Sequence, residues 1–321
     1  MISEILQLTT LFKKYKPFQE VKDKSIVNNM FTLEPLNALN KIPISGLYYL
    51  MLTVINKKSL GSNDSLKKLI SSLMHFNGIP TKTMVKGVPI LRVRFNEMNS
   101  ADPVLFEKVS QLWHPPKQKT NKGRFNREKQ PVLYTGDNLF TCFYETYDNK
   151  LHGKEGFVTS LSCLINEDIK EGYISSVDTH VSPGKNAFYD SFVRFFKDNI
   201  SEKELLIKNF LGNFINSPKL FTPNFDYEIT NLISDCIYQN NEIQAIMYPS
   251  TKTNMQYNNI IFDENNAKKY VKPHGVFVYA FSINSSFEVT LKPVYFGQIK
   301  DGSIIYRTID RPSIHSVVTY E

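Results

Sequence analysis

Pro131-Val132-Leu133-Tyr134-Thr135-Gly136-Asp137-Asn138 runs straight into Leu139-Phe140-Thr141-Cys142-Phe143-Tyr144-Glu145-Thr146-Tyr147. This stretch decides the fold class, because it joins an apolar β-type run to a segment of helical character across a Gly-Asp turn. Residues 132–135 read as a short buried strand, Gly136-Asp137 as turn and N-cap, and 138–147 as a helix. Phe140, Tyr144 and Tyr147 fall on one side of that helix, and Glu145 lies in its second turn. A carboxylate among Cys142, Phe143, Tyr144 and Tyr147 needs a reason, since an acid is seldom placed on so apolar a surface without a partner.

Upstream, Ile90-Leu91-Arg92-Val93-Arg94-Phe95 alternates apolar and basic residues, the pattern of a strand with one buried face. Downstream, residues 157–165 and 173–177 are rich in β-branched and aromatic residues and read as strands. Helical periodicity returns over 188–215, broken near Ile200-Ser201, and over 227–238. Strands are then expected at 243–248, ended by Pro249, and at 260–262, 276–283, 287–291 and 304–308. Strands and helices are mixed without regular βαβ alternation, so an α+β domain with a mixed sheet is expected rather than a doubly wound one.

The first part of the chain is different. Apolar residues recur at helical spacing over 2–12 and again at Leu66, Leu69, Ile70, Leu73 and Met74, with Ser62-Asn63-Asp64 as cap and Gly78 as stop. Residues 1–85 are therefore read as a helical accessory domain and 86–321 as the second domain, with a β-rich C-terminal extension. The 321 residues, 41% apolar, suffice for two cores.

Net charge is +7, from 38 Lys and Arg against 31 Asp and Glu. Six cations (Lys117, Lys119, Lys122, Arg124, Arg127, Lys129) against Glu128 place +5 of it between 117 and 129, in an exposed Pro- and Gly-punctuated loop. Three widely spaced cysteines, Cys142, Cys163 and Cys236, indicate neither a disulfide framework nor a thiolate zinc site, and fit a reducing compartment. His75, His114, His152, His180, His274 and His315 are scattered singly, so no metal is expected. The opening Met1-Ile2-Ser3-Glu4 lacks secretory-signal features, and the longest apolar run, 47–55, is far short of the ~20 residues of a bilayer span. A soluble cytoplasmic protein is expected.

Four segments set a polar or cationic residue at the end of an apolar strand or in a Gly/Pro loop: Leu91-Arg92-Val93-Arg94, Gly123-Arg124-Phe125-Asn126, Pro131 to Tyr134 with Glu145 behind it, and Tyr248-Pro249-Ser250 with Asn258 downstream. With Pro115-Pro116 ahead of Gly123, their order resembles the RES family, named for its Arg, Glu and Ser, in its G-R-x-N variant. Arg124 to Tyr134 is ten residues and Tyr134 to Glu145 eleven, as in the family pattern, and the likeness covers roughly half the chain, from Leu91 to Phe262. Lys129 stands where a Gly is usual, and Tyr144 where a small Ala is usual.

The resemblance implies an ADP-ribosyltransferase-like mixed sheet core and an enzyme that consumes NAD, in many members a toxin neutralised by a cognate antitoxin. It implies Glu145, Arg92 and Tyr134 as catalytic residues, and Arg92, Arg124, Asn126, Tyr134, Ser250 and Asn258 as contacts to NAD. The chemistry suits these side chains. Cleaving an N-glycosidic bond passes through an oxocarbenium-like ribosyl cation, which a carboxylate such as Glu145 stabilises. Arg92 and Arg124 offer planar forks for a pyrophosphate, with Arg94 placed on the other face of its strand. The Tyr134 ring suits a cationic nicotinamide. Ser250 offers a short donor, Asn258 or equally Asn259 an amide, and Asn126 orders its own loop. The ordinary alternatives are surface ion pairs, a core tyrosine, a solvated glutamate and turn residues.

The leading expectation is hydrolysis or phosphorolysis of NAD. The first alternative is ADP-ribosyl transfer to a protein. The second, from another class, is nucleic-acid binding through the basic loop, disfavoured because Phe125 is its only aromatic and no recognition helix is evident. A homo-oligomer through the N-terminal helices is allowed by their apolar faces.

Overall fold

A computed structural model describes residues 42–55, 63–77, 79–96, 102–176, 186, 189–190, 192–194, 201–216, 227–310 and 315–316. The strands in chain order are β1 (Thr81–Met84), β2 (Pro89–Phe95), β3 (Val132–Gly136), β4 (Glu155–Ile165), β5 (Ile169–Tyr173), β6 (Ala245–Pro249), β7 (Asn258–Asp263), β8 (Val271–Ile283), β9 (Val289–Lys300), β10 (Ser303–Thr308) and β11 (His315–Ser316). The helices are α1 (Ile44–Ile55), α2 (Asn63–Asn77), α3 (Leu139–Thr146), α4 (Asn149–His152), α5 (Glu202–Asn216), α6 (Glu228–Tyr238) and α7 (Glu264–Tyr270).

These strands form one sheet in the order β1-β5-β6-β7-β3-β2-β4-β8-β9-β10, with β11 added on β9. Strands β5 and β6 run parallel and the other pairs antiparallel, so the α+β, mixed-sheet expectation holds. On its side away from β8, strand β9 serves two neighbours, β10 from Tyr295 to Lys300 and β11 at Thr290 and Leu291.

The chain divides into two compact units. One takes Met1–Pro80, Ile174–His180 and Ser191–Asn240, the other Thr81–Tyr173, Val181–Asp190 and Asn241–Glu321. The first unit contains α1, α2, α5 and α6, whose core includes Leu47, Leu50, Leu69, Leu73, Phe214 and Ile233, all fully buried. Each such side chain contributes about 1.5–3 kcal/mol relative to an exposed one. Among the described residues no helix is long and apolar enough to cross a membrane. The second unit is the sheet, where α3 packs Cys142 and Phe143 onto Val93, Val158, Phe281 and Leu291.

Several expected elements shift. The strand expected at 173–177 lies earlier, at Ile169–Tyr173, where it finds ladders with both β1 and β6. The strand expected at 287–291 starts at Val289 and continues to Lys300, because Phe287 is a turn residue with φ +61°. Its turn is built by Asn284 Oδ1, which accepts from the amides of Ser286 and Glu288. Polar β1 and the short α7 carry no apolar signal. The helix expected over 2–12 lies outside the described residues.

Candidate active site

Helix α3 is seated by its first turn. Its cap is Asn138, whose Oδ1 accepts from the Phe140 amide at 2.8 Å, and not Asp137 as the turn chemistry suggests. Gly136 permits this close seat, since a Cβ there would meet Cys142 Sγ at 2.9 Å and the Asn258 carbonyl at 3.3 Å. The Cys142 thiol donates to the Leu91 carbonyl at 3.1 Å, and burial pushes its pKa up. Phe143 packs against Phe95 with ring centroids 5.0 Å apart, and against Tyr147 at 5.4 Å. With that side of α3 committed to the sheet, Glu145 turns toward the loop that joins β6 to β7.

There Glu145 Oε1 accepts from two side chains, Ser250 Oγ at 2.7 Å and Asn259 Nδ2 at 2.9 Å. Ser250 is fully buried and Asn259 nearly so, whereas Glu145 is half-buried. Oε2 accepts nothing from the described residues. Lys252 Nζ donates to the carbonyls of Tyr144 at 2.8 Å and Glu145 at 3.4 Å, placing a cation at the negative end of the helix. The carboxylate is thus oriented through one oxygen.

Tyr134, on β3, is fixed at both ends. Its hydroxyl donates to Asn126 Oδ1 at 2.9 Å and accepts from the Phe125 amide at 3.0 Å. Asn126 Nδ2 closes the same loop on the carbonyls of Asn121 at 2.8 Å and Arg127 at 3.0 Å. Gly123 is required by this closure, because a Cβ there would lie 2.5 Å from Asn126 Oδ1. The loop lies over Tyr248, with Phe125 at 4.9 Å between ring centroids and the Arg124 guanidinium 5.4 Å from the ring centre. Burial pushes the Tyr248 hydroxyl's pKa up. Tyr248 stands directly across the β6–β7 ladder from Asn259, so the Arg124 loop and the Glu145 carboxylate adjoin.

Arg92 sits where the sheet parts. Strands β2 and β3 pair only at Leu91 and Gly136, and beyond that point the Arg92 side chain takes the place of a ladder. Its Nε donates to the Leu112 carbonyl at 3.0 Å and its Nη1 to the Tyr134 carbonyl at 3.1 Å. Burial lowers its pKa, but a guanidinium remains charged. Arg94 does not face away from Arg92, contrary to expectation. Residues two apart on a strand share a face, and Arg94 Nη1 donates to the neighbouring carbonyl of Gln111.

Of the two asparagines left open by the sequence, Asn259 reaches Glu145, and Asn258 does not. Alternation along β7 turns Asn258 to the opposite face, where its Nδ2 donates to Asp137 Oδ2 at 2.8 Å. Arg124, Asn126, Tyr134, Glu145 and Ser250 therefore form one group linked through Tyr134 and Tyr248, whereas Arg92, one residue past the Leu91–Gly136 bridge and so on the other face of its strand, meets that group at the main-chain carbonyl of Tyr134. Sequence reasoning gave no role to Lys252, named Tyr248 only as part of the Tyr-Pro-Ser segment, and gave Asp137 only a helix cap. The register of β6 on β7, which places Tyr248 opposite Asn259, depends on a loop whose length alone does not specify it.

This is an α+β domain whose polar centre is a carboxylate clamped by a serine and an asparagine, beside an arginine and two tyrosines. The chain matches the RES domain family over residues 105–280, more than half its length, and belongs to that family. The matched span contains Arg124, Asn126, Tyr134, Glu145, Ser250 and Asn258, whereas Arg92 lies ahead of it. The RES domain is a family associated with NAD-related toxin function. No curated protein matches the chain in sequence.

Proposed function

We propose that this protein consumes NAD by cleaving the bond between nicotinamide and ribose, with water or phosphate as acceptor. The observation that carries this reading is the state of Glu145, oriented through Oε1 by Ser250 and Asn259 while Oε2 accepts nothing from the described residues. Oε2 takes a hydroxyl of the nicotinamide-side ribose and opposes the positive charge that develops at C1 as the bond breaks. That interaction strengthens toward the transition state, which is what accelerates a reaction. Nicotinamide leaves as a neutral amide with the bonding electron pair, and water or phosphate attacks the ribosyl cation and loses a proton. Tyr134 offers its ring to the nicotinamide, and Arg124 its N–H groups to the pyrophosphate. An ADP-ribosyltransferase-like core is part of this reading.

The purified full chain, incubated with NAD, is expected to release nicotinamide, resolved by liquid chromatography. Free ADP-ribose or its 1″-phosphate identifies the small acceptor, and label carried from NAD onto polypeptide identifies protein ADP-ribosylation instead. Folded wild-type protein that leaves NAD intact in the presence of phosphate and of cell protein rejects the function.

A further inference from the structure

Behind the carboxylate, on the opposite face of β7, Asp137 and Asn258 grip each other three times. The Asn258 amide donates to Asp137 Oδ1 at 2.9 Å, its side-chain Nδ2 to Oδ2 at 2.8 Å, and the Asp137 amide to the Asn258 carbonyl at 3.2 Å. Buried Asn186 backs the pair. Its Nδ2 donates to Asn258 Oδ1 at 3.3 Å and to the Met255 carbonyl at 2.8 Å, while its Oδ1 accepts from the Tyr189 amide at 3.0 Å.

The connectivity gives this grip its meaning. Residue 138, next to Asp137, caps the helix that carries Glu145, and residue 259, next to Asn258, is the asparagine that binds Glu145. Ser250 hangs from the same loop. Its amide donates to the Tyr257 carbonyl at 2.8 Å, and its carbonyl accepts from Met255 at 2.8 Å and Thr253 at 3.3 Å. Within that loop Asn254 and Met255 have φ of +47° and +62°, two consecutive residues in the left-handed region without being glycine. Such residues cost about 1–2 kcal/mol each and persist only where their surroundings hold them. The Asn186 bond to Met255 and the Asp137 bonds to Asn258 hold both ends of the strained turn.

We infer that Asp137, Asn258 and Asn186 are positioning residues that set Glu145, Ser250 and Asn259 in register. The inference rests on the reading of Glu145 as the carboxylate that meets the ribose. Asp137→Ala removes the clamp, and the exchanged pair Asp137→Asn with Asn258→Asp rebuilds it with donor and acceptor reversed. Two readouts separate this inference from the function itself. Hydrogen exchange of the substrate-free chain is expected to quicken at the Ser250, Thr253 and Met255 amides in Asp137→Ala and to leave Val278, in distant β8, unchanged. Nicotinamide release is expected to fall about 10- to 100-fold in kcat, with KM for NAD within about twofold, because misplacement by an ångström costs that much. The exchanged pair restores both. Asn186→Ala, which spares Asp137, is expected to quicken the Met255 and Ser250 amides in the same way. Wild-type exchange in Asp137→Ala, exchange that quickens equally in β8, or an exchanged pair no better than the single variant each overturns the positioning role. Absence of turnover in wild type rejects the function and leaves the exchange result to decide the clamp.

Discussion

Ser250 and Glu145 are 105 residues apart in sequence, yet the serine hydroxyl donates to one carboxylate oxygen of the glutamate at 2.7 Å. The bond draws the Tyr-Pro-Ser turn onto the helix and leaves the other oxygen for a ligand. Glu145→Gln keeps the shape and an oxygen for Ser250 but removes the charge. It is expected to cut nicotinamide release by about 100-fold or more, in the range seen when a key electrostatic group is lost. Ser250→Ala, which loosens the carboxylate without removing it, is expected to cost less. Thermal unfolding of both variants should stay near wild type. Full turnover in Glu145→Gln would remove the mechanism.

Arg92 bonds two main-chain carbonyls from one planar fork, at the point where β2 and β3 separate. A lysine carries its charge at one nitrogen and cannot span both. Arg92→Lys is therefore expected to lose about 1–3 kcal/mol of stability, the penalty for a buried acceptor left without a donor. Urea denaturation measures it directly. An unchanged midpoint, with a normal slope, shows that the guanidinium has no part in holding the sheet and leaves it a role toward substrate alone.

Lys129 occupies the place where the family pattern has glycine, and its φ is +61°. The loop keeps its turn, with the Lys129 amide donating to the Thr120 carbonyl at 3.0 Å, at the expense of a lysine in the left-handed region. Lys129→Gly removes a strain of about 1–2 kcal/mol and adds about 0.5–1 kcal/mol of unfolded-chain entropy. The side chain is exposed, so no packing is lost. A net gain of about 0.5–1 kcal/mol is expected. A loss of stability in calorimetry would show that the lysine is held there by a contact that outweighs the strain.

The mixed sheet was legible because Val132 to Thr135, the first half of β4 and the apolar runs of β6 to β8 carry side chains that only a covered sheet accommodates. Glu145 was legible for the converse reason, as a carboxylate on an otherwise apolar helix. What escaped were features fixed by partners distant in sequence. Thr81 to Met84 is polar and becomes a strand because β5 offers it a ladder. Asp137 had cap chemistry and a turn to cap, but Asn258, 121 residues away, takes its carboxylate and leaves the cap to Asn138. Asn258 and Asn259 are alike in sequence, and the one-residue choice between them is a choice of face that register alone makes.

Lys117, Lys119, Lys122 and Lys129 are exposed, and none forms an ion pair with another described residue. They flank Arg124 and Asn126 in the chain, and under the proposed function they would raise the local concentration of an anionic dinucleotide. Replacing all four by serine is expected to raise KM for NAD about 3- to 10-fold at low ionic strength, with kcat unchanged. The difference is expected to vanish near 1 M salt, where the screening length is about 3 Å. A salt-independent KM in wild type rejects steering, and tight salt-sensitive binding of nucleic acid would assign the loop to a polyanion instead.

Glu171, on β5, is fully buried, and neither carboxylate oxygen has a donor at normal hydrogen-bond distance; Lys82 Nζ stands 3.8 Å from Oε1. Burial raises its pKa from 4.5 to about 7, with Lys82 pulling it down and Asp137 pushing it further up. The folded state therefore favours the protonated acid. Its favourable contribution is complete below the unfolded pKa, near 4.5, and is lost as pH rises through about 7. Glu171→Gln keeps the neutral form at every pH. It is expected to match wild type near pH 4 and to exceed it at pH 8, by about 3 kcal/mol at most, since each tenfold change in proton affinity is worth ~1.4 kcal/mol. Chemical denaturation of both proteins across that range measures the divergence. Parallel stability curves would mean that Glu171 is ionised in the folded protein at neutral pH, with Lys82 closer to it than 3.8 Å.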